Sequence, residues 1–488
     1  MILLPKQPSL KTGFDFESLV AKRDTLSLRD YQSKFLGYFL SQKRGLDLSE
    51  AGTGKSPTAA LWIYQQCLDK KVVWAMPKSL IVKNYEELLL WSNLTPNEVT
   101  IFDGTPAQKA KQIAHKDTRV FLMGFDALAD KWEQIVEKHP DLYHLCVDEW
   151  HMGFSTHGEP NNRLKSGFEG ARRTFNMYRF MARGGNFLGM TGTLIDGRLT
   201  SAYPALKVIN PNYYPTYKSF LIYHALVDEY GTPYMWKNHD RLKNIVDAHS
   251  RRITFEEAYG AEKKEIVVDM CSMGEKQYKA YKEIEQRGIT ELEDGYLEAE
   301  NEAVGIARCF AIMQTPELFG LPYHQTDSKE AKLIGYLEEH RRSGKPLIIF
   351  DKIVATHEKL ALVCEKMGLT YAVINGTVND RTDFDQKFRS GEIQIMICSP
   401  KVAGVGYNWG HVDTVIFGCF DWTDTMFIQN YRRAMRGIRE KALLIILLIY
   451  RNGMDVKVAR KLKSKSDDRL KIETGVPVDF IDKILAAA

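Results

Sequence analysis

Lys55 and Ser56 close a glycine-bearing run, Ser49-Glu50-Ala51-Gly52-Thr53-Gly54-Lys55-Ser56, whose residue types suit one piece of chemistry. Gly52 and Gly54, with Thr53 between them, let consecutive backbone N–H groups turn inward. Lys55 brings a point charge and Ser56 a hydroxyl. Together these are the parts of a cradle for phosphate oxygens, with the hydroxyl available to a bound Mg²⁺. An apolar lead-in, Gly45-Leu46-Asp47-Leu48, precedes the run, and the helix-like Thr58-Ala59-Ala60-Leu61-Trp62-Ile63 follows it. Strand, turn and helix start thus come in the order such a loop requires.

A second chemical group lies further on. Asp148-Glu149-Trp150-His151 follows the apolar run ending at Val147. An acidic pair at the C-terminal end of a buried strand sits where open α/β sheets place their ligands. Asp148, with Ser56, is suited to hold the Mg²⁺–water shell, and Glu149 to polarise a water for attack on a γ-phosphate. Thr191 and Thr193, after the strand-like Phe187 to Met190, offer hydroxyls that could sense that phosphate. In Gln429-Asn430-Tyr431-Arg432-Arg433-Ala434-Met435-Arg436, Arg433 and Arg436 are three apart and share one helix face. Two guanidiniums so placed suit the charge that develops on a transferring phosphoryl group. Upstream, the amide of Gln32 could pair with the edge of adenine, which would favour ATP.

The elements that must position these groups are legible as two families of short apolar runs. The first holds 72–76, 99–102, 120–123, 145–147 and 187–190; the second holds 346–350, 371–374, 393–398, 415–417 and 442–450. Amphipathic stretches separate them. Repeated strand–helix units of this kind predict an α/β fold with two parallel sheets, each covered by helices. The longest run, 442–450, is too short to span a bilayer and reads as a central strand buried on both faces. The stretch from about 200 to 340 is richer in charge and helix formers, as in Glu275 to Tyr281 and Leu292 to Tyr296, and reads as a helical connection or protrusion. The expected organisation is an N-terminal extension at 1–25, a first lobe at 26–262, a linker with helical protrusion at 263–330, and a second lobe with C-terminal helices at 331–488.

Composition agrees with more than one core. A chain of 488 residues exceeds what one core usually supports, and 44% hydrophobic with 26% charged residues is the balance of a soluble globular protein. A net charge of +4 permits a nucleic-acid partner without demanding one. The seven cysteines are scattered with no Cys-x-x-Cys pair, which speaks against zinc and for reduced thiols in a cytoplasmic protein. Met1-Ile2-Leu3-Leu4-Pro5 is too short an apolar run for a signal peptide. No membrane partner is expected.

In this order the segments resemble the superfamily 2 helicases and translocases, and within them the Swi/Snf-like branch. Leu28-Arg29-Asp30-Tyr31-Gln32 is similar to the branch's adenine motif, and 49–56 to its motif I, where a first residue other than glycine is usual. Met76-Pro77-Lys78-Ser79-Leu80 resembles motif Ia, Asp148 to His151 motif II, and Met190-Thr191-Gly192-Thr193-Leu194 motif III. Lys401-Val402-Ala403-Gly404-Val405-Gly406-Tyr407-Asn408 resembles motif V, and Gln429 to Arg436 motif VI. Arg251-Arg252, Ile266 to Val268 and Gln277 to Tyr281 resemble the stretch that joins the lobes. Trp150, Trp409, Arg432 and Met435 depart from the usual pattern, which bears on specificity and not on hydrolysis.

The resemblance implies two tandem RecA-like lobes and a nucleic-acid-stimulated ATPase with ATP and Mg²⁺ as cofactors. It adds Arg29 and Gly406 to the nucleotide contacts. Lys78, Ser79, Lys401 and Gly404 become grips on a DNA backbone, and His151, Thr191, Thr193 and Gln429 couple nucleotide state to movement. Arg433 and Arg436 would reach the nucleotide from the second lobe. The expected track is single-stranded, duplex or forked DNA, with unwinding or branch migration in replication, recombination or repair, and possible protein partners from those processes. Thr-Gly-Thr in motif III argues against the RNA-directed branch. Compact length favours a stripped-down motor of the kind bacterial viruses encode, active in the host cytoplasm. Two alternatives stay open: a duplex translocase that separates no strands, and a slow ATP-gated nucleic-acid-binding module. Tyr407 or Trp409 could stack on a base, although a core aromatic suits either better.

Overall fold

The structure, a computed structural model, describes residues 26–195, 198–293, 295–376, 381–403, 407–419, 424–435, 439–470 and 479–488. The chain divides between Gly260 and Ala261 into two compact units.

The first unit is built on a seven-stranded sheet. Its strands are β1 (Arg44–Asp47), β2 (Lys71–Met76), β3 (Val99–Phe102), β4 (Val120–Gly124), β5 (Leu142–Val147), β6 (Phe187–Met190) and β7 (Ser250–Arg251). They lie in the order β7-β1-β6-β5-β2-β4-β3, and every pair is parallel. Parallel strands need crossovers, and helices supply them, so both sheet faces are covered. That is why β2 and β4 read as continuous apolar runs: Val72 to Met76 and Val120 to Met123 are fully buried. Around the site the helices are α1 (Asp30–Ser41), α2 (Lys55–Cys67), α3 (Ile81–Trp91), the short α4 (Trp150–Phe154) and α5 (Phe255–Tyr259). Trp150, Phe154 and Phe187 pack edge-to-face or tilted below the acidic pair. Trp150, unusual at its motif position, is thus a core residue.

The second unit carries a six-stranded parallel sheet: β8 (Lys264–Cys271), β9 (Leu347–Phe350), β10 (Tyr371–Ile374), β11 (Ile395–Cys398), β12 (Thr414–Phe417) and β13 (Leu443–Tyr450), ordered β8-β13-β12-β9-β11-β10. The 442–450 run forms an inner strand, paired on both sides and buried along nearly its whole length. Its neighbour β8 comes from the stretch expected to link the lobes, so that stretch begins as a strand of the second sheet. Only Ile266 and Cys271 of β8 are fully buried, as befits an edge strand, and its apolar signal is correspondingly faint.

Residues 275–287 form the expected helix. Residues 289–292 and 295–298 do not. They are two antiparallel strands in which Thr290 faces Leu297. These two partners are buried while Ile289, Glu291, Tyr296 and Glu298 are exposed. Such alternation is the period of a strand, and it prevails over the helix-forming composition.

Candidate nucleotide-binding and hydrolysis site

The loop after β1 and the turn after β5 meet at the C-terminal edge of the first sheet, separated by β6 alone. Between β1 and α2 the chain turns through Gly52 at φ +88° and Gly54 at φ +87°. Side chains rarely adopt this left-handed region. At Gly54 a Cβ would also stand 2.7 Å from the Gln32 amide nitrogen. Gly54 caps α2, so Lys55 and Ser56 open the helix at its positive end. Lys55 Nζ donates to the carbonyls of Ser49 at 2.7 Å and Glu50 at 3.1 Å. Thr53 is fully buried, its hydroxyl donating to Glu50 O at 2.8 Å.

Side chains from α1 and α5 hold the loop. Gln32 donates through Nε2 to Gly54 O and accepts from Arg29 N, each at 2.8 Å. The amide expected to read adenine therefore serves the loop itself in this structure. Tyr31 donates its hydroxyl hydrogen to Thr53 O, and Tyr259 donates to Gly52 O at 3.0 Å. The exposed Arg29 lays its guanidinium 4.2 Å over the Tyr259 ring. Glu50 accepts from Phe255 N at 3.1 Å and lies 3.8 Å from Arg252. Sequence reasoning assigned no loop-holding role to Tyr31, Glu50, Arg252 or Tyr259. Arg252 and Tyr259 are just over two hundred residues from Glu50 and Gly52, which they meet, and no periodicity connects them to the loop.

Beside this cradle Asp148 is buried and Glu149 half-buried. Asp148 accepts from Glu149 N at Oδ1 and from the Asn84 amide at Oδ2, both at 3.0 Å. Burial and the neighbouring Glu149 charge push its carboxyl up, against the Asn84 hydrogen bond and the charge of Lys55. Asp47, at the end of β1, is also buried and accepts from Ser49 N at 3.0 Å. Burial pushes that carboxyl up too, with Lys55 acting in the opposite sense. Glu149 adopts φ +49°, an uncommon conformation for a side-chain-bearing residue. Its Oε2 is buried, accepts no hydrogen bond among the described residues, and lies 3.6 Å from His151 Nδ1.

His151 faces Thr191, whose hydroxyl lies 2.8 Å from Nδ1. That hydroxyl donates its hydrogen to Thr193 O at 2.8 Å and accepts from Thr193 N at 3.1 Å. A hydroxyl has one hydrogen, so Nδ1 is the donor in the His151 contact. Thr191 N donates to Asp47 O at 3.0 Å, which ties the third motif back to β1.

The remaining predicted residues fall elsewhere. Lys78 and Ser79 are exposed on a 3-10 turn, Lys78–Leu80, directly after β2. Lys401 is exposed on the short helix Pro400–Ala403 that follows β11. Gln429 and Arg433 are buried in the second unit. Arg433 O accepts from Trp409 N at 2.8 Å, and Trp409 itself is fully buried with its indole donating to Asp385 at 2.8 Å. Gly404, Gly406 and Arg436 lie outside the described residues. Arg432 pairs with Glu262 at 2.7 Å. Among the described residues no helix is long and apolar enough to cross a membrane.

Residues 328–437 match the model of the helicase conserved C-terminal domain. Curated relatives extend the likeness over most of the chain. An uncharacterized ATP-dependent helicase of Mycoplasma genitalium is 20% identical over 457 residues, covering 90% of this chain and 42% of its own. The chromodomain-helicase-DNA-binding protein 1-like of Mus musculus is 24% identical over 343 residues, 66% of this chain and 35% of its own. The chromatin-remodeling ATPase INO80 of Candida albicans is 28% identical over 142 residues, 28% of this chain and 10% of its own. The chain thus spans less than half the length of each of these relatives.

Proposed function

We propose that the chain is an ATP-dependent DNA motor of superfamily 2, a helicase or translocase that couples ATP hydrolysis to movement on DNA. One observation carries this reading. The Lys55 loop and the Asp148–Glu149 pair converge at one edge of the first sheet, in a chain whose residues 328–437 match the model of the helicase C-terminal domain.

The residues fit a nucleotide phosphate and Mg²⁺. The loop is held open by two left-handed glycines, its lysine rests on carbonyls that phosphate oxygens can replace, and a buried carboxylate oxygen of Glu149 is left without a donor. Asp148 and Ser56 would hold Mg²⁺, which supplies positive charge to the phosphate oxygens when bound. Lys55 and the amides opening α2 bind and orient the phosphates. Glu149 takes a proton from the attacking water at its free Oε2, and His151 stands beside that oxygen as a donor. Arg433 and Arg436 are assigned to stabilising the transferring phosphoryl group. Lys78, Ser79 and Lys401, exposed after the ends of parallel strands, are the assigned backbone grips, because Lys and hydroxyl groups are the usual phosphate contacts.

The test is the ATPase rate with no nucleic acid, then with single-stranded DNA, duplex DNA, a synthetic fork, a Holliday junction and RNA, at one salt concentration. Strongest stimulation by forks or junctions supports a branch-migrating helicase. Stimulation by plain duplex alone supports the second reading, a translocase without strand separation. A flat response to every nucleic acid overturns the motor.

A further inference from the structure

Asn84 is the one polar residue among the buried positions of α3, which are otherwise Ile81, Leu88 and Leu89. It is 1% exposed. Its amide donates to Asp148 Oδ2 at 3.0 Å and lies 3.3 Å from the Met76 sulfur. A buried amide placed so is held on both sides, by the strand end it leaves and by the carboxylate it meets. The other oxygen of Asp148 is fixed by its own turn, through Glu149 N. Asn84 is therefore the contact that orients Asp148 from a different element.

That element follows directly on the turn Lys78–Leu80, of which Lys78 and Ser79 are exposed and Leu80 is buried. Leu80 N donates to Pro77 O, and Ile81 N donates to Lys78 O, so the turn runs into α3 without a break. Asn84 stands about one helical turn beyond it.

We propose that Asn84 is a positioning residue that couples phosphate contact at the 78–80 turn to the metal-holding carboxylate of Asp148. This rests on the motor reading above, in which that turn grips a DNA backbone and Asp148 holds Mg²⁺. Coupling between two sites is reciprocal: whatever factor DNA adds to metal–nucleotide affinity, metal–nucleotide adds to DNA affinity.

The experiment measures Mn²⁺ binding with ADP by electron paramagnetic resonance, and binding of fluorescein-labelled duplex DNA by anisotropy, each with and without the other. In the wild-type chain, saturating DNA tightens Mn²⁺·ADP by about tenfold, within the usual range for coupled sites. In Asn84→Ala each ligand still binds alone, and the coupling factor falls below about twofold. Asn84→Leu, which fills the same volume without a donor, behaves alike; if it does not fold, Asn84→Ala carries the comparison. Coupling retained in Asn84→Ala overturns the inference, and so does its absence from the wild type when both ligands bind. Failure of the wild type to bind DNA at all would instead overturn the motor reading on which the inference rests.

Discussion

The Nδ1–H of His151 donates to the Thr191 hydroxyl at 2.8 Å and stands 3.6 Å from the Glu149 carboxylate, which it does not reach. Thr191 holds the imidazole by geometry, while Glu149 Oε2 stays without a hydrogen bond. Removing the hydroxyl acceptor leaves Glu149 as the remaining partner, and a base that is already hydrogen-bonded is a weaker base. Thr191→Val is expected to lower DNA-stimulated ATP turnover by about ten- to a hundredfold, the usual scale for loss of general-base efficiency. The folded state should lose about 2–4 kcal/mol, since all three buried hydrogen bonds of the hydroxyl are removed. Steady-state ATPase with and without DNA, together with a urea melt, checks both. An unchanged stimulated rate would show that the contact is structural.

Lys55→Ala removes the charge at the mouth of the loop. In this structure the ammonium donates to the carbonyls of two buried loop residues, Ser49 and Glu50. The expected outcome is a chain that still folds but loses about 1.5–3 kcal/mol for each of the two charge-assisted hydrogen bonds removed. Turnover should fall by at least about a hundredfold through loss of electrostatic stabilisation. A chain that keeps full turnover without this lysine would place phosphate binding elsewhere.

Glu149 offers a test in which stability and activity move apart. Its φ of +49° costs a side-chain-bearing residue about 1 kcal/mol, and glycine bears no such cost. Glu149→Gly is expected to melt at or above the wild-type temperature while losing ATP hydrolysis. Glu149→Gln should bind ATP and not turn it over. Calorimetry and a phosphate-release assay decide the matter; full turnover in Glu149→Gln would remove the general-base assignment.

Lys78 stands exposed, with Asp103 its ion-pair partner at 3.7 Å. An exposed pair contributes little to stability, so Lys78→Ala should leave the fold unchanged. If Lys78 meets a DNA phosphate, the substitution lowers the slope of log affinity against log salt by about one and weakens all sequences alike. Anisotropy titrations across a salt series measure that slope. An unaltered slope would move the grip to another surface.

Both parallel sheets were legible in the sequence because strands buried on both faces need long apolar runs, and few other structures do. The antiparallel strand pair 289–292 and 295–298 escaped for the opposite reason: with only Thr290 and Leu297 turned inward, its pattern is carried by two residues. β8 escaped as a core element because an edge strand half-faces solvent. At the site, Lys55, Ser56, Asp148, Glu149, His151 and Thr191 follow motif spacing, and the fold brings them to one sheet edge. Their supports are different. Tyr31 and Gln32 sit in a quoted motif, yet their bonds to Thr53 and Gly54 are tertiary. Asn84 did leave a signal, a lone polar residue at an inward helical position, between Ile81 three residues before and Leu88 four residues after.

Glu262 yields a pH-dependent prediction. It lies two residues past the division of the chain at Gly260 and pairs with Arg432 at 2.7 Å, with Lys264 at 2.7 Å, and with the Tyr431 hydroxyl at 3.0 Å. The Glu262 and Arg432 side chains are 10% and 7% exposed. Burial pushes the carboxyl up, but the Arg432 and Lys264 charges, with their hydrogen bonds, prevail and hold it below the ordinary value of 4.5. A carboxyl depressed on folding contributes stability above its unfolded value and loses it as pH falls through the folded one. Glu262→Ala leaves two cations without their carboxylate and should destabilise the second unit by about 3–5 kcal/mol at neutral pH. Glu262→Gln, which keeps a hydrogen-bond acceptor, should cost less, about 1–3 kcal/mol. Urea melts of the wild type and both variants should converge as pH is lowered from about 7 to about 3, because the wild-type carboxylate becomes protonated. A stability gap that stays constant across that range would mean that packing, and not the charge of Glu262, holds Arg432 in place.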